Sequence, residues 1–485
     1  MQGTFLRNLV FVVVLNLVVK PFYILGIDAG VQERVGAEVY GVYAALLSLS
    51  FLLNIVLDLG ITNHNTRYLS QHPELMREQF AGIVGVRLVL VVLYASVCLC
   101  AGFVLGYGAE QLNLLGWLIL NQALAAMLLY LRSNIAAMQR YAVDSLLSVL
   151  DRALLIGLVG WLLWGRGMHE EFRIEWFVRA QTLAYSASVF FAFVILRRSV
   201  DVLSLRWDRG RAWSILQQSF PYALLILLMT FYYRMDTLLL ERLLPDGAMQ
   251  AGIYAQAFRF FEAFNMFGYL LAGLLLPMFS RLIKSDGPVA PLAGMAFRLV
   301  WVGTLAAAVI GWVFAHEIMA LRYSEHVAVS APVFAVLMSC FVAVCTTYVF
   351  GTLLTASGDL RTLNVLAACG MVLNIALNLL LIPKYQALGA AWASLITQVL
   401  MAAAQAVLAA QRFGGWRGRS TTFGPVAYLM VLVICGALLH TWSPGLWAGG
   451  AVILATASLA AFATGTLRPA ELREAMAFRA GAGKA

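Results

Sequence analysis

Charge is what this chain has least of. Only 12% of its 485 residues are charged and 62% are hydrophobic, whereas a soluble globular domain carries roughly 25% charged residues. That shortage excludes a water-soluble fold. Histidine is scarce too. His64, His72, His169, His316, His326 and His440 sit mainly in loops or at helix ends, without HExxH or triad-like company. No catalytic constellation is readable, and no catalytic residue is assigned. The six cysteines (Cys98, Cys100, Cys340, Cys345, Cys369, Cys435) all fall inside apolar runs with no histidine at zinc-ligand spacing, so no metal site is expected and they read as small core residues. The formal charge of +9 does not point to nucleic acid, because the basic residues lie in short clusters between apolar runs rather than along one face.

Long apolar runs are what the chain has in abundance. A hydrocarbon core about 30 Å thick takes about 20 apolar residues per helix, and runs of that length recur from residue 5 almost to residue 465. The first is too long for a signal-peptide core and lacks a small-residue cleavage site, so it reads as a permanent span. The runs predict an all-α integral membrane protein of about fourteen transmembrane helices. These include spans near 5–27, 39–61, 141–165, 213–240, 250–280 and 362–383, with two last ones near 422–441 and 445–465.

Lys and Arg are enriched on the cytoplasmic side of membrane proteins. With this helix count the basic residues between spans fall overwhelmingly on one side, leaving only Arg34, Arg166, Arg173, Arg242, Arg322 and Lys384 on the other. Both termini are therefore expected in the cytoplasm, and no outside loop is long enough for a catalytic domain. A basic connection, "RRSVDVLSLRWDRGRAW" (197–213), follows the sixth span. The expected organisation is an N-terminal six-helix bundle (1–199), a basic cytoplasmic linker (200–212), a second six-helix bundle (213–412), two additional helices (421–465) and a cytoplasmic tail (466–485).

A short self-similarity supports two bundles. Gly41-Val42-Tyr43-Ala44 opens the second span and Gly252-Ile253-Tyr254-Ala255 opens the eighth, six spans later. An even offset makes the bundles parallel, related by a pseudo-twofold axis along the membrane normal.

Eight basic residues fall within or close to spans. A basic side chain at a helix centre costs about 2.5–3.5 kcal/mol on insertion scales, so central ones face a bundle interior or a wet cavity. Arg87, Arg179 and Arg298 lie near helix starts and are expected to reach the interface; Arg132 lies near an inside end. Lys20, Arg152, Arg234 and Arg259 are deeper. Aligning the repeat brings Arg234 within a turn of the Lys20 position, so each bundle offers a cation from its first helix, an arrangement suited to an anion held between two lobes. Asp151, Asp236 and Glu262 accompany these cations, as charge tuners or as ion-coupling groups, with H+ or Na+ as the coupling ion. Glu262 follows Arg259 at the i, i+3 spacing that brings side chains together, and mutual neutralisation stays open for that pair. For Asp151 and Arg152, adjacent positions diverge and self-pairing is not expected. Pro21 removes a backbone hydrogen bond beside Lys20 and marks a hinge in the first helix.

The stretch "VGAEVYGVYAALLSLSFLLNIVLDLGITNHNTRYLSQ" (35–71) has a G-x-x-x-Y-G-x-Y opening and an Asp-Leu-Gly close. Together with the six-plus-six-plus-two layout, it resembles the polysaccharide flippases of the multidrug, oligosaccharidyl-lipid and polysaccharide exporter superfamily, in particular lipopolysaccharide or O-antigen flippases. The resemblance implies a V-shaped pair of bundles around a cationic cavity, in the bacterial inner membrane. Its cargo would be an undecaprenyl-diphosphate-linked oligosaccharide, moved by alternating access for surface polysaccharide biosynthesis. The implied partners are that lipid-linked oligosaccharide, membrane lipid and other polysaccharide-assembly proteins, with no nucleic acid. Lys20, Arg152, Arg234 and Arg259 would attract the diphosphate; no cofactor is implied beyond a coupling ion. The helices after 420 would help form a groove for the lipid tail. A multidrug exporter of the same superfamily is the nearest alternative, and a membrane-embedded polymerase or ligase is the alternative from a different class; the short outside loops argue against an enzyme.

Overall fold

The computed structural model describes residues 17–59, 61–62, 76–138, 140–165, 172–197, 209–414 and 419–468. Residues 5–16 of the first expected span, Arg67, most of the basic linker and the tail beyond residue 468 lie outside the described residues.

Among the described residues every long element is a helix. In chain order we number them α1 (17–35), α2 (Ala37–Asp58), α3 (Met76–Val104), α4 (Ala109–Ala137), α5 (Tyr141–Trp164), α6 (Ile174–Leu196), α7 (Arg209–Leu243), α8 (Gly247–Lys284), α9 (Val289–Val313) and α10 (Val327–Ala356). A continuous helical stretch, Leu360–Phe413, follows. Its 54 residues would reach about 80 Å at 1.5 Å per residue, far more than a bilayer accommodates. Gln386 breaks it with a left-handed φ of 53° and ψ of −133°, giving α11 (360–385) and α12 (387–413). The last two helices are α13 (Arg419–Trp442) and α14 (Leu446–Ala463). Among the described residues twelve helices are long and apolar enough to cross a membrane; the broken one supplies two passes, and the described part of the first expected span, residues 17–35, is helical as well.

The chain forms two compact units, residues 3–255 and 256–485. In the first unit, α2 packs on α7 and α4, and α4 packs on α6. One buried cluster there joins Tyr40, Tyr43, Leu46, Leu115, Leu118, Phe177 and Leu238. A second, built on Phe80, Tyr130, Leu131 and Ile135, sits nearer the ends that carry the basic loops.

The two repeat motifs meet within this unit. A methyl group on Gly41 would come within 1.7 Å of the Ala248 carbonyl oxygen, and one on Gly252 within 1.9 Å of the Ala37 carbonyl oxygen. Each glycine is thus required by a backbone that passes directly over it. The pattern is Ala-x-x-x-Gly in both copies, the small-residue spacing that lets helices approach closely.

In the second unit, α10 packs on α9 and on the α11–α12 pair. Phe279, Val349, Phe350 and Ala409 form one buried cluster. The last two helices dock on α9 through Phe314, Leu439 and Ile453, and the Tyr428 hydroxyl donates to the Val302 carbonyl at 2.9 Å. Asn374 and Asn378 are fully buried, and Asn378 Nδ2 donates to Asn374 Oδ1 at 3.1 Å. Three of the cysteines depart from the expected core placement. Cys98, Cys340 and Cys345 are buried, whereas Cys100 and Cys369 lie on exposed helix faces and Cys435 is half-buried. An apolar run tells which residues sit in a span, but not which side of the helix each one takes.

Candidate functional site

The π-helical segment of α1 organises the first part of the site. Pro21 has no N–H to give, and two residues later the helix widens into a π-turn, Tyr23–Asp28, instead of breaking. The widened segment rests on α5. There the Arg152 guanidinium stacks 4.6 Å from the Tyr23 ring centroid and 5.7 Å from that of Tyr185, an arrangement in which a cation gains from the aromatic faces. Lys20, half-buried, lies within the fields of Arg152 and Arg132, which repel it, and of Asp151, which attracts it. Arg132 is itself tied to Asp144 across α4 and α5, Nε to Oδ1 at 2.8 Å.

Asp151 and Arg152 do pair, against the expectation from their adjacency. Arg152 Nε lies 3.8 Å from Asp151 Oδ2. Adjacent Cβ atoms diverge, but the long arginine side chain folds back, and the contact stays at the outer limit of an ion pair. The Arg152 side chain retains 28% exposure.

Arg234 sits on α7, its guanidinium 4.8 Å from the Phe51 ring centroid of α2 and 5.6 Å from that of Tyr233. Two residues on, Asp236 is buried and accepts a 2.7 Å hydrogen bond from the Tyr254 hydroxyl of α8. Lys20, Arg152 and Arg234 therefore share the first unit. Arg259 belongs to the second, where it is buried and paired with Glu262 at 2.5 Å. Of the two readings left open by the i, i+3 spacing, the geometry has the salt bridge formed.

Two features escaped the sequence reading. Asp28 closes the π-helical segment, is buried, and accepts a 2.7 Å hydrogen bond from the Tyr40 hydroxyl of α2. It repeats on α1 and α2 the arrangement that Asp236 and Tyr254 make on α7 and α8. The available signal was its place eight residues after Lys20, two helical turns along the same apolar stretch; it reads there as the edge of a loop. The second is Arg87, expected to snorkel. It is only 2% exposed and forms a salt bridge with Asp58 of α2. It also donates to Thr62 Oγ1 at 2.6 Å and to the Ala126 carbonyl at 3.1 Å, and lies over Tyr130. Its nearness to a helix start allowed it to reach water, but a carboxylate on the neighbouring helix drew it inward.

Residues 5–283, more than half of the chain, match the family described as polysaccharide biosynthesis protein. The chain belongs to that family. Solved structures agree on the fold. The lipid II flippase MurJ, in an inward closed conformation, superposes with a TM-score of 0.65 over 96% of this chain and 98% of its own, at 13% identity. A multidrug resistance MATE transporter of the MOP superfamily, in its inward-facing conformation, gives a TM-score of 0.63 at 14% identity, covering 81% of this chain and 95% of its own. A MOP superfamily transporter from Pyrococcus furiosus, described as having a binding pocket of reverse polarity, gives 0.57 at 14% identity, with 83% and 96% covered. No curated protein matches the chain at a significant level. This member of the polysaccharide biosynthesis family is thus a polytopic helical protein with the fold of MOP transporters and flippases.

Proposed function

We propose that this protein is a flippase that moves an undecaprenyl-diphosphate-linked oligosaccharide from the inner to the outer leaflet of the bacterial inner membrane. It would do so by alternating access, for lipopolysaccharide, O-antigen or related surface polysaccharide assembly, with both termini cytoplasmic and without catalysing any bond change. The observation that carries the reading is that Lys20 of α1 and Arg152 of α5 lie within each other's electrostatic field, both still partly exposed. Asp151 accompanies these two like charges and neutralises one of them; among apolar helices the remaining positive charge is costly unless a further anion joins it, and a diphosphate would supply one. Arg234 would extend the cationic track along α7. In the second unit, Arg259 would bind the cargo's anion by exchanging Glu262 for it. Pro21 and the π-turn behind it give α1 a segment whose winding can change as cargo passes. Asp151, Asp236 and Glu262 are the carboxylates available to tune these cations or to carry a coupling proton or sodium ion, and other polysaccharide-assembly proteins are the expected partners.

The buried carboxylates Asp28 and Asp236 favour a second reading, export of an organic cation by the same fold. One experiment separates the two. Lys20→Ala and Arg152→Gln variants, matched for expression, are expected to abolish surface polysaccharide in a flippase-deficient strain, while Lys20→Arg retains it. Normal polysaccharide with both neutralised variants, or drug resistance conferred by the wild type and lost in Asp28→Asn and Asp236→Asn, would overturn the flippase reading.

A further inference from the structure

We infer that α8 and α10 carry, within the second unit, a carbohydrate subsite in which the Tyr269 and Tyr348 rings take the apolar face of a sugar unit of the cargo. The inference rests on the flippase reading for the identity of that cargo and adds where its sugar is held.

The subsite is assembled around one side chain of α10. Tyr348 leans on α8 at Gly268, where a methyl group would come within 2.7 Å of Cys345 Sγ and 2.8 Å of Tyr348 Cδ2. Only a residue without a side chain lets the tyrosine lie that close to the α8 backbone. One turn earlier, Asn265 Nδ2 donates to the Tyr348 hydroxyl at 3.2 Å, which fixes the ring at its far end. Beside Gly268, the Tyr269 ring meets that of Tyr348 edge to face, with centroids 6.5 Å apart and planes at 77°. Asn265 is buried and Tyr348 half-buried, but Tyr269 is 67% exposed. A held ring and an open ring thus stand nearly at right angles. Tyrosines that anchor a membrane protein sit at headgroup level near helix ends, whereas Tyr269 lies well inside α8. Turned toward acyl chains there, its hydroxyl would have nothing to bond. The arrangement suits a ligand with one apolar face and a rim of hydroxyls. Carbon-bound hydrogens on the flat face of a pyranose pack against an aromatic ring, whose π-face is negative. The rim meets the Tyr269 hydroxyl and that of Tyr348, which accepts from Asn265 and still has its own proton to donate. Tyr269 also follows Glu262 by seven residues, about two turns along one face of α8. The pair Arg259 and Glu262, where the proposed function places the cargo's anion, is therefore succeeded on the same helix by an aromatic platform. A diphosphate joined to a sugar offers the same two groups in the same order.

The test uses the full chain in a flippase-deficient strain, with variants matched for detergent-extracted yield. Tyr269→Leu keeps apolar bulk but has no π-face, and it is expected to lower surface polysaccharide about tenfold, the size of one lost aromatic contact. Tyr269→Phe and Tyr269→Trp should recover most of it. Gly268→Ala, which pushes on Tyr348 without touching Tyr269, should lower it as well. Leucine performing as well as tyrosine at position 269 would overturn the subsite. The second readout is contact itself. With p-benzoylphenylalanine in place of Tyr269, irradiated cells are treated with mild acid, which cleaves the bond between sugar and diphosphate, and the purified protein is weighed by mass spectrometry. The added mass should be that of the strain's repeat oligosaccharide. No added mass, or the mass of a lipid, would overturn the inference. The two readings fail differently: export that ignores both Lys20→Ala and Arg152→Gln counts against the flippase, whereas export that needs both cations yet ignores Tyr269→Leu counts against the sugar subsite alone.

Discussion

Arg87→Met is the perturbation whose effect follows most directly from the structure. The wild-type guanidinium is 2% exposed, salt-bridged to Asp58, and bonded to Thr62 Oγ1 and the Ala126 carbonyl. Removing one partner of a buried ion pair costs about 3–5 kcal/mol, chiefly because the other charge is stranded. Asp58 is less deeply placed than its partner, with 28% of its side chain exposed, and it keeps the Thr62 backbone N–H at 3.1 Å. Water would rehydrate part of the stranded carboxylate, so the expected cost falls to about 2–3 kcal/mol. Methionine retains most of the side-chain volume, which keeps cavity formation out of the balance. Equilibrium unfolding in mixed micelles, followed by tryptophan fluorescence, measures the loss. Asp58→Asn completes a double-mutant cycle, and coupling of about 2 kcal/mol is expected between the two positions. A single-variant cost below about 1 kcal/mol, or strictly additive variants, would refute the buried pair.

Three further outcomes are expected. Gly252→Leu should sharply reduce the folded, exporting protein, because its first added carbon already meets backbone, whereas Gly157→Leu, with open space around it, should be tolerated; detergent-extracted yield and surface polysaccharide read both. Arg259→Gln should impair export, and Arg259→Gln/Glu262→Gln should recover it if the arginine serves only its 2.5 Å partner; failure of the double variant to recover assigns Arg259 a part beyond neutralisation. Tyr40→Phe and Tyr254→Phe should each cost about 1.5–3 kcal/mol, the range for a hydrogen bond to a charged group, measured by the same micelle unfolding; an effect at one site alone would break the parallel between Asp28 and Asp236.

Much of the architecture was legible because a bilayer leaves few choices. Apolar runs longer than a turn-rich soluble fold tolerates must become helices that satisfy their own backbone, so helix number and approximate bounds could be read from hydropathy. The last helix, Leu446–Ala463, lies within two residues at each end of the 445–465 span read for it. The Gly-x-Tyr-Ala repeat was legible for a similar reason, since two spans with the same packing task retained the same small residues. Individual side chains were harder. Arg87 and Arg179 were both read as lying near helix starts, yet Arg87 stands eleven residues into α3 and is buried against Asp58, while Arg179 stays exposed over Trp117. Depth along a helix is a one-dimensional property, and the partner that decides the outcome lies on another helix.

The sequence alone established a fourteen-helix membrane protein with cations at depth, an organising repeat and a likeness to polysaccharide flippases, because periodicity, hydropathy and charge are written along the chain. Only the tertiary structure decided that the two repeat glycines lie across from one another, that Asp28 and Tyr40 mirror Asp236 and Tyr254, and that Arg152 rests against two tyrosines. Those facts depend on which faces of separate helices meet, and facing is fixed by packing in three dimensions.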